Sequence, residues 1–393
     1  PVSLEIFNDQ FRGGPPKTIA GDGYRSLVAL MDDVRRIEPD IKIDLPDIPE
    51  RIRVKSAAFV EFATRDDEKE RLEALLASMG FRCASHHVSK SLAVWQQGDI
   101  RIVVNAETKG HAHSTWLTRG TTVCDIGIEV ASARDTLQRA TAMGAKAFSQ
   151  PLAPNEINIP AIRGLGGSLL HFLDQSSGLA DVWSVEFSSD TDDTHNDAGL
   201  VCVDHLAQTM SYDQMLSWSL FYTTLFSMNK AEMVDVIDPD GLVRSQALTT
   251  KDGTFRITLN GAETHRTLAG GFLAETFGAS VQHIALATDD IFATARALAA
   301  RDFDPLPMPE NYYADLAARF DLAPPLIAEL RALNILYDRD EGGEFFQIYS
   351  QPFSGGMFFE IVERRGSYIG FGAPNAPFRI AAQKRLMRPR GMP

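Results

Sequence analysis

Two histidines and one glutamate on three distant segments have the residue types of a metal site. His205, His283 and Glu360 each stand among apolar residues, in segments typical of buried strands. Because successive side chains of a strand point to opposite faces, each of the three should share a buried face with its apolar neighbours two positions away. A buried, ionised glutamate is costly unless it is paired or bound to a metal. Two imidazoles and one carboxylate, with coordination positions left open, suit Fe(II) and oxygen chemistry.

A metal-free interpretation of these residues stays open at this point. A lone histidine on a strand is more often a hydrogen-bonded core residue. The ligand separations of 78 and 77 residues are not a local motif. The metal interpretation is favoured because the three residues fall at matching points of an internal repeat.

The repeated unit consists of a strand, a helix and further strands, and it is found twice in each half of the chain. The strand segments alternate apolar and polar residues, whereas the helical segments have apolar residues at helical spacing. This pattern predicts an α+β fold built from four such units. Leading strands are predicted at 59–63, 124–130, 200–206 and 281–287, and the helices that follow them at 66–79, 132–143, 211–228 and 290–300.

Two segments without periodicity divide the chain. The Pro-rich stretch 44–49 and the polar stretch 188–199 are typical of linkers. They predict an N-terminal piece at 1–48, an N-terminal β-rich domain at 55–187 and a C-terminal metal-binding domain at 199–393. The N-terminal piece should contain a short strand at 3–7 and a helix at 23–37. It is too short to bury much core, so we expect it to pack on another part of the chain.

Composition and charge exclude several classes of protein. The hydrophobic fraction of 44% and the charged fraction of 23% are those of a globular protein without a membrane-spanning run of apolar residues. The net charge of −14 argues against nucleic-acid binding, which would need a basic face. Three scattered cysteines are typical of reduced thiols, so we expect a cytoplasmic protein. We also expect a homo-oligomer.

The segments around the three candidate ligands resemble the 4-hydroxyphenylpyruvate dioxygenase family. They are VDHL at 203–206, VQHIA at 281–285 and FFE at 358–360, the last followed by GFG at 370–372. In the first half, FVEFA at 59–63 and IPAIRGLGG at 159–167 are similar as well. The resemblance implies the vicinal oxygen chelate fold of paired βαβββ modules. It also implies Fe(II), or another divalent metal such as Mg, Mn or Co, with dioxygen and an aromatic α-keto acid as substrates.

The same resemblance implies a set of pocket residues. Phe371 matches a ring that packs on the aromatic substrate. Two positions depart from the family: Leu268 stands where a pocket glutamine is expected, and Ala376 where a gating phenylalanine is expected, with Phe378 two residues later. Losing a hydrogen-bonding side chain can change selectivity by orders of magnitude. The polar residues that match substrate-binding and catalytic positions are Ser245, Asn260, Gln282 and Gln347.

The first half has polar residues at positions that match the candidate ligands. Aligning the repeats places Glu61 opposite His205, Asp125 opposite His283 and His171 opposite Glu360. Because the resemblance implies no metal in this half, we interpret these residues as satisfied polar groups. The remaining histidines of this half, His86, His87, His111 and His113, are expected in solvated loops.

The leading residues resemble part of a second protein. Residues 3–13 are similar to the closing strand of a TIM barrel in 3-dehydroshikimate dehydratases that are fused to a dioxygenase-like domain, where the glutamate matching Glu5 binds a divalent metal. The resemblance favours an alternative function, in which the chain is a metal-binding structural or regulatory module of a bifunctional, protocatechuate-forming dehydratase. A metal-free ligand-binding module is a third interpretation.

Overall fold

The computed structural model describes residues 3–6, 14–42, 44, 47–189 and 197–387. In these ranges the chain forms two nine-stranded sheets, one from each half. Each sheet joins two βαβββ modules, so the predicted α+β class and its repeated modules are confirmed. None of the described helices is long and apolar enough to cross a membrane.

The first sheet is organised around the pairing of two leading strands. Strand β1 (Val54–Ala63) pairs antiparallel with β5 (Thr122–Val130), and each also pairs parallel with the last strand of its own module. The strand order is β6-β7-β8-β5-β1-β4-β3-β2-β9. The other strands are β2 (Arg82–His87), β3 (Leu92–Gln97), β4 (Ile100–Asn105), β6 (Ala147–Phe148), β7 (Ala161–Arg163), β8 (Leu169–Leu173) and β9 (Phe187–Ser189).

The second sheet repeats this arrangement. Strand β10 (Leu200–Ser211) pairs antiparallel with β15 (Ser280–Thr288), and each pairs parallel with the last strand of its module. The order is β11-β13-β14-β10-β15-β18-β17-β16, with β12 paired to β13. The other strands are β11 (Met228–Lys230), β12 (Val234–Asp238), β13 (Gly241–Thr250), β14 (Arg256–Ala262), β16 (Leu336–Arg339), β17 (Gly343–Tyr349) and β18 (Phe358–Gly366).

The helices pack apolar residues against the sheets. Leu72 and Leu76 of helix α2 (Asp66–Ser78) are fully buried and belong to the same core cluster as residues of the first sheet. The same helix begins with three acidic residues, which interact favourably with the positive end of the helix dipole. The helices are α1 (Pro16–Ile37), α2 (Asp66–Ser78), α3 (Gly110–Arg119), α4 (Ala133–Ala142), α5 (Val182–Val185), α6 (Tyr212–Leu225), α7 (Leu268–Glu275), α8 (Ile291–Ala299), α9 (Glu310–Arg319), α10 (Pro324–Ala332) and α11 (Ala376–Met387).

The N-terminal piece packs on both halves of the chain, as expected. Arg139 of α4 and Asp32 of α1 form an ion pair at 3.0 Å in which both side chains are inaccessible to solvent. Asp22 of α1 also accepts a hydrogen bond from Ser217 of α6 at 2.5 Å. Helix α1 therefore joins the first half of the chain to the second.

Two predictions for the segments outside the sheets are wrong in part. Residues 3–6 form no strand, because no strand of the described residues pairs with them and an unpaired strand has little stability of its own. The rest of that resemblance, residues 7–13, lies outside the described residues. The predicted linker at 188–199 starts too early, because β9 pairs with β2.

Candidate metal centre

The second sheet brings His205, His283 and Glu360 together. On the central strand β15, Ala285 pairs with His205 of β10 on one side and with Glu360 of β18 on the other. His283 lies two residues away on the same strand. Its Nε2 is 3.2 Å from the Nε2 of His205, and the Oε2 of Glu360 lies 3.3 Å from His283 and 3.5 Å from His205.

These separations fit ligands of one metal ion. Histidine and carboxylate ligands lie about 2.1 Å from a bound metal, so two ligands at right angles are about 3 Å apart. His205 and Glu360 are each 2% exposed. Three protein ligands grouped on one side of an ion leave coordination positions free for other molecules.

Asp204 positions His205. Its carboxylate lies 2.7 Å from His205 Nδ1, accepts two hydrogen bonds from Arg364 at 2.8 and 2.9 Å, and accepts one from Arg256 at 3.1 Å. Burial alone would raise the pKa of Asp204, but the contacts with His205 and Arg364 hold that pKa well below its usual range. Asp204 is therefore a charged partner that raises the basicity of a candidate ligand. It was missed from the sequence, although it directly precedes His205.

Gln347 supports Glu360 and does not line the cavity beside the centre. It is fully buried, and its Nε2 donates to Glu360 Oε1 at 2.6 Å and to the Tyr349 hydroxyl at 2.8 Å. Its own oxygen accepts from Asn375 at 2.7 Å. The polar atoms of Gln347 are thus bonded within the protein, and its predicted contact with substrate stays a prediction.

His283 has a different environment from His205. Its ring stacks on Phe358, with centroids 4.8 Å apart. Burial, together with the nearby charges of His205 and Arg379, lowers its pKa well below the usual range. A neutral imidazole of this kind is the form that binds a metal.

Most of the predicted pocket residues line the cavity beside these ligands. Phe371 packs edge-on against His205, with ring centroids 5.1 Å apart. The departures Leu268 and Ala376 also line the cavity, whereas Phe378 packs on Tyr312. The predicted polar residues found there are Ser245, Asn260 and Gln282. Four further polar residues line the cavity and were missed from the sequence, namely Asp238, Thr258, Tyr349 and Arg379.

In the first half, the place that corresponds to the metal centre has only two of the three residues that could be ligands. Gly127 pairs with Phe59 and with His171, as Ala285 pairs with His205 and Glu360. Phe59, and not Glu61, therefore matches His205, and the sequence alignment of these two strands was displaced by two residues. In this half Asp125 pairs with His171 at 2.6 Å.

A larger cavity of about 510 Å³ lies in the first half, and several of its titratable groups bond to one another. His87 is buried on a strand, contrary to the loop prediction, and its Nε2 lies 3.1 Å from Glu186. Glu156 joins this group, but the ammonium of Lys90 lies 2.6 Å from it and supplies the positive charge. His86 lies on the same strand β2, and His111 and His113 on helix α3, so none of these histidines is in a loop.

Known family models match both halves of the chain. The model described as hydroxyphenylpyruvate dioxygenase, N-terminal, matches residues 50–188. The model of the glyoxalase, bleomycin resistance protein and dioxygenase superfamily matches residues 203–346. A 4-hydroxyphenylpyruvate dioxygenase of Pseudomonas aeruginosa is 34% identical over 322 residues, which are 81% of this chain and 90% of that protein.

Two longer proteins are also similar to this chain. A 3-dehydroshikimate dehydratase of Pseudomonas putida is 38% identical over 388 residues, which are 97% of this chain and 61% of that protein. The solved structure of a xylose isomerase-like TIM barrel/4-hydroxyphenylpyruvate dioxygenase fusion protein is 37% identical, with a TM-score of 0.85. The match covers 98% of this chain and 62% of the chain of the fusion protein. This chain thus spans about three fifths of the length of these two relatives.

Proposed function

Because this chain belongs to the 4-hydroxyphenylpyruvate dioxygenase family, we propose that it is a non-haem Fe(II)-dependent dioxygenase acting on an aromatic α-keto acid. The observation that carries the proposal is the placement of His205, His283 and Glu360 with their ligand atoms 3.2 to 3.5 Å apart. Two imidazoles and a carboxylate with open positions suit Fe(II) better than a closed structural zinc site. Mg, Mn and Co are the other candidate metals.

The residues around the centre have separate roles in this proposal. Asp204 holds the His205 ring so that Nε2 faces the metal, and Gln347 holds Glu360. Phe371 and the polar residues Ser245, Asn260 and Gln282 bind and orient the substrate in the cavity beside the metal centre. When bound, Fe(II) supplies the redox chemistry with dioxygen that these side chains lack.

A second candidate function follows from the longer relatives. The chain would then be a metal-binding structural or regulatory module of a bifunctional 3-dehydroshikimate dehydratase, with little dioxygenase turnover of its own. Support comes from the 38% identity with a protein of that name, and from Leu268 and Ala376 at two cavity positions. For both candidate functions we propose the same three parts of the chain, namely an N-terminal piece at 1–48 and two domains at 55–187 and 199–393. We also expect the protein to be cytoplasmic and to form a homo-oligomer.

Oxygen uptake by the Fe(II)-loaded protein tests the first proposal. The substrates are 4-hydroxyphenylpyruvate, a panel of other α-keto acids and the catechol protocatechuate. Uptake that disappears in His205→Ala but persists in His265→Ala, which replaces an exposed histidine, supports the dioxygenase. No uptake from protein shown to contain iron would favour the structural or regulatory module.

A further inference from the structure

A cationic side chain lines the candidate metal cavity close to its ligands. Arg379, on helix α11, lines the same cavity as the three ligands. Its guanidinium carbon lies 4.9 Å from the ring centroid of Phe358, and Phe358 stacks on His283. The same carbon lies 5.8 Å from the ring centroid of Tyr349. Arginine stays charged in proteins, so a permanent positive charge is separated from the ligand set by one aromatic ring.

The charge of Arg379 has no dedicated partner among the described residues. Its Nη1 donates to Gln383 Oε1 at 2.7 Å, one helical turn further on, but no described carboxylate forms an ion pair with it. The two carboxylates whose charges act on Arg379 have other partners. Asp238 pairs with Lys384, and Glu360 belongs to the ligand set. Burial lowers the pKa of Arg379, which means that these carboxylates do not compensate the cost of burying its charge.

We propose that Arg379 binds an anionic group of the ligand, separate from the group that binds at the metal centre. The inference rests on the proposed function in two respects, namely that a divalent metal occupies the centre and that the ligand is an aromatic α-keto acid. A divalent metal and Arg379 together carry three positive charges, and Glu360 carries one negative charge. The net charge of the three groups is therefore +2. An α-keto acid with one carboxylate leaves one positive charge unpaired in a partly buried cavity, which is unfavourable, whereas a second carboxylate removes it.

The chemical class of the ligand follows from the guanidinium group. Arginine has five N–H donors in a planar fork. Gln383 engages one nitrogen of Arg379, and the Tyr349 hydroxyl is a further hydrogen-bond partner of the side chain. The remaining donors suit a carboxylate, which accepts two parallel hydrogen bonds. The ligand is therefore an aromatic α-keto acid that carries a second carboxylate. Charged hydrogen bonds of this kind give a preference of about 10- to 100-fold over an uncharged analogue.

Two ligands of similar size and different charge test the proposal. Binding of (4-carboxyphenyl)pyruvate and (4-methylphenyl)pyruvate is measured by calorimetry without oxygen, on protein loaded with Fe(II) and separately with Co(II). The wild-type protein should bind the carboxylated compound about 10- to 100-fold more tightly. Arg379→Gln should remove this preference, and Arg379→Lys should keep part of it. The control Arg385→Gln replaces an exposed arginine of the same helix and should leave the preference unchanged.

Several outcomes would overturn the anion site. Equal affinity of the wild-type protein for the two compounds, binding of neither compound, or an unchanged preference in Arg379→Gln would each do so. A change of metal affinity alone in Arg379→Gln would mean that Arg379 only balances the charge of the metal centre. A different result would contradict the proposed function alone. In that case the protein would still bind the carboxylated compound more tightly, but no keto acid would cause oxygen uptake.

Discussion

Asp204 accepts a hydrogen bond from His205 Nδ1 at 2.7 Å, although the two residues are consecutive on strand β10. Consecutive side chains of a regular strand point to opposite faces and do not touch. Here the register against β15 shifts between Val203 and His205, and such an irregularity changes the direction of neighbouring side chains. The contact fixes the proton on Nδ1 and leaves Nε2 for the metal centre.

We predict that Asp204→Asn weakens metal binding about 10- to 100-fold, the usual loss when the partner of a histidine ligand is changed. The amide removes the negative charge that polarises His205, and it leaves Arg364 without its carboxylate. Titration against a competing chelator gives the metal affinity. The control is Asp289→Asn, at an exposed position after β15. Equal affinities of Asp204→Asn and the control would show that the contact does not support the metal.

The sequence predicted the ligand set but not the residues that hold it. Alternation of apolar residues predicted the strands that carry His205, His283 and Glu360, and the resemblance pointed to their common function. Asp204 was missed because its contact depends on a local register shift that strict alternation does not contain. Arg379 was missed because a charged residue on a C-terminal helix has the same pattern whether it faces solvent or a cavity.

The packing of helix α1 should depend on the buried ion pair between Arg139 and Asp32. Arg139 also donates hydrogen bonds to the carbonyls of Pro49 and Thr224. We predict that Arg139→Met destabilises the protein by about 3 kcal/mol, the lower end for breaking a buried pair, because Arg36 still reaches Asp32 at 3.0 Å. Thermal unfolding and hydrogen exchange of α1 measure the effect. The exposed Arg134→Met is the matched control, and an equally small shift in both variants would contradict the prediction.

Packing also explains where the N-terminal prediction differed from the structure. The sequence pattern predicted a helix at 23–37, whereas α1 starts at Pro16. A proline in the first turn is favourable because its missing N–H has no partner there. The strand predicted at 3–7 would need pairing partners that the described residues do not supply, and pairing is not visible in a single segment.

Glu61 should make the stability of the first half depend on pH. Burial, and secondly the charge of Asp125, raise the pKa of Glu61 from 4.5 to about 7. Between these values the unfolded chain releases a proton that the folded chain keeps, so stability falls as the pH rises from about 4.5 to 7. The full shift corresponds to at most roughly 3 kcal/mol.

We therefore predict that Glu61→Gln gains melting temperature relative to the wild-type protein at pH 8, and gains little at pH 4.5. The amide keeps an oxygen that accepts the hydrogen bond from Asn105, so the variant removes mainly the ionisation. Scanning calorimetry at the two pH values measures the difference. The control is Glu70→Gln, at an exposed position of α2. The same gain at both pH values would rule out ionisation of Glu61 as the cause.

Gly372 should be required for the support of Glu360. A Cβ atom at this position would lie 2.2 Å from Gln347 Oε1 and 2.4 Å from Nε2, and the backbone has a φ of +61° that side chains disfavour. Gln347 has no free direction in which to move, because it bonds to Asn375, Tyr349 and Glu360.

Gly372→Ala should therefore displace Gln347, lower metal affinity about 10-fold or more and reduce the melting temperature. The matched control is Gly271→Ala, where an added Cβ meets no atom within 4 Å. Alanine is the better helix former, so this control should be neutral or slightly stabilising on helix α7. Metal titration and thermal unfolding of both variants measure these effects. Unchanged metal affinity in Gly372→Ala would mean that Glu360 keeps its position when Gln347 is displaced.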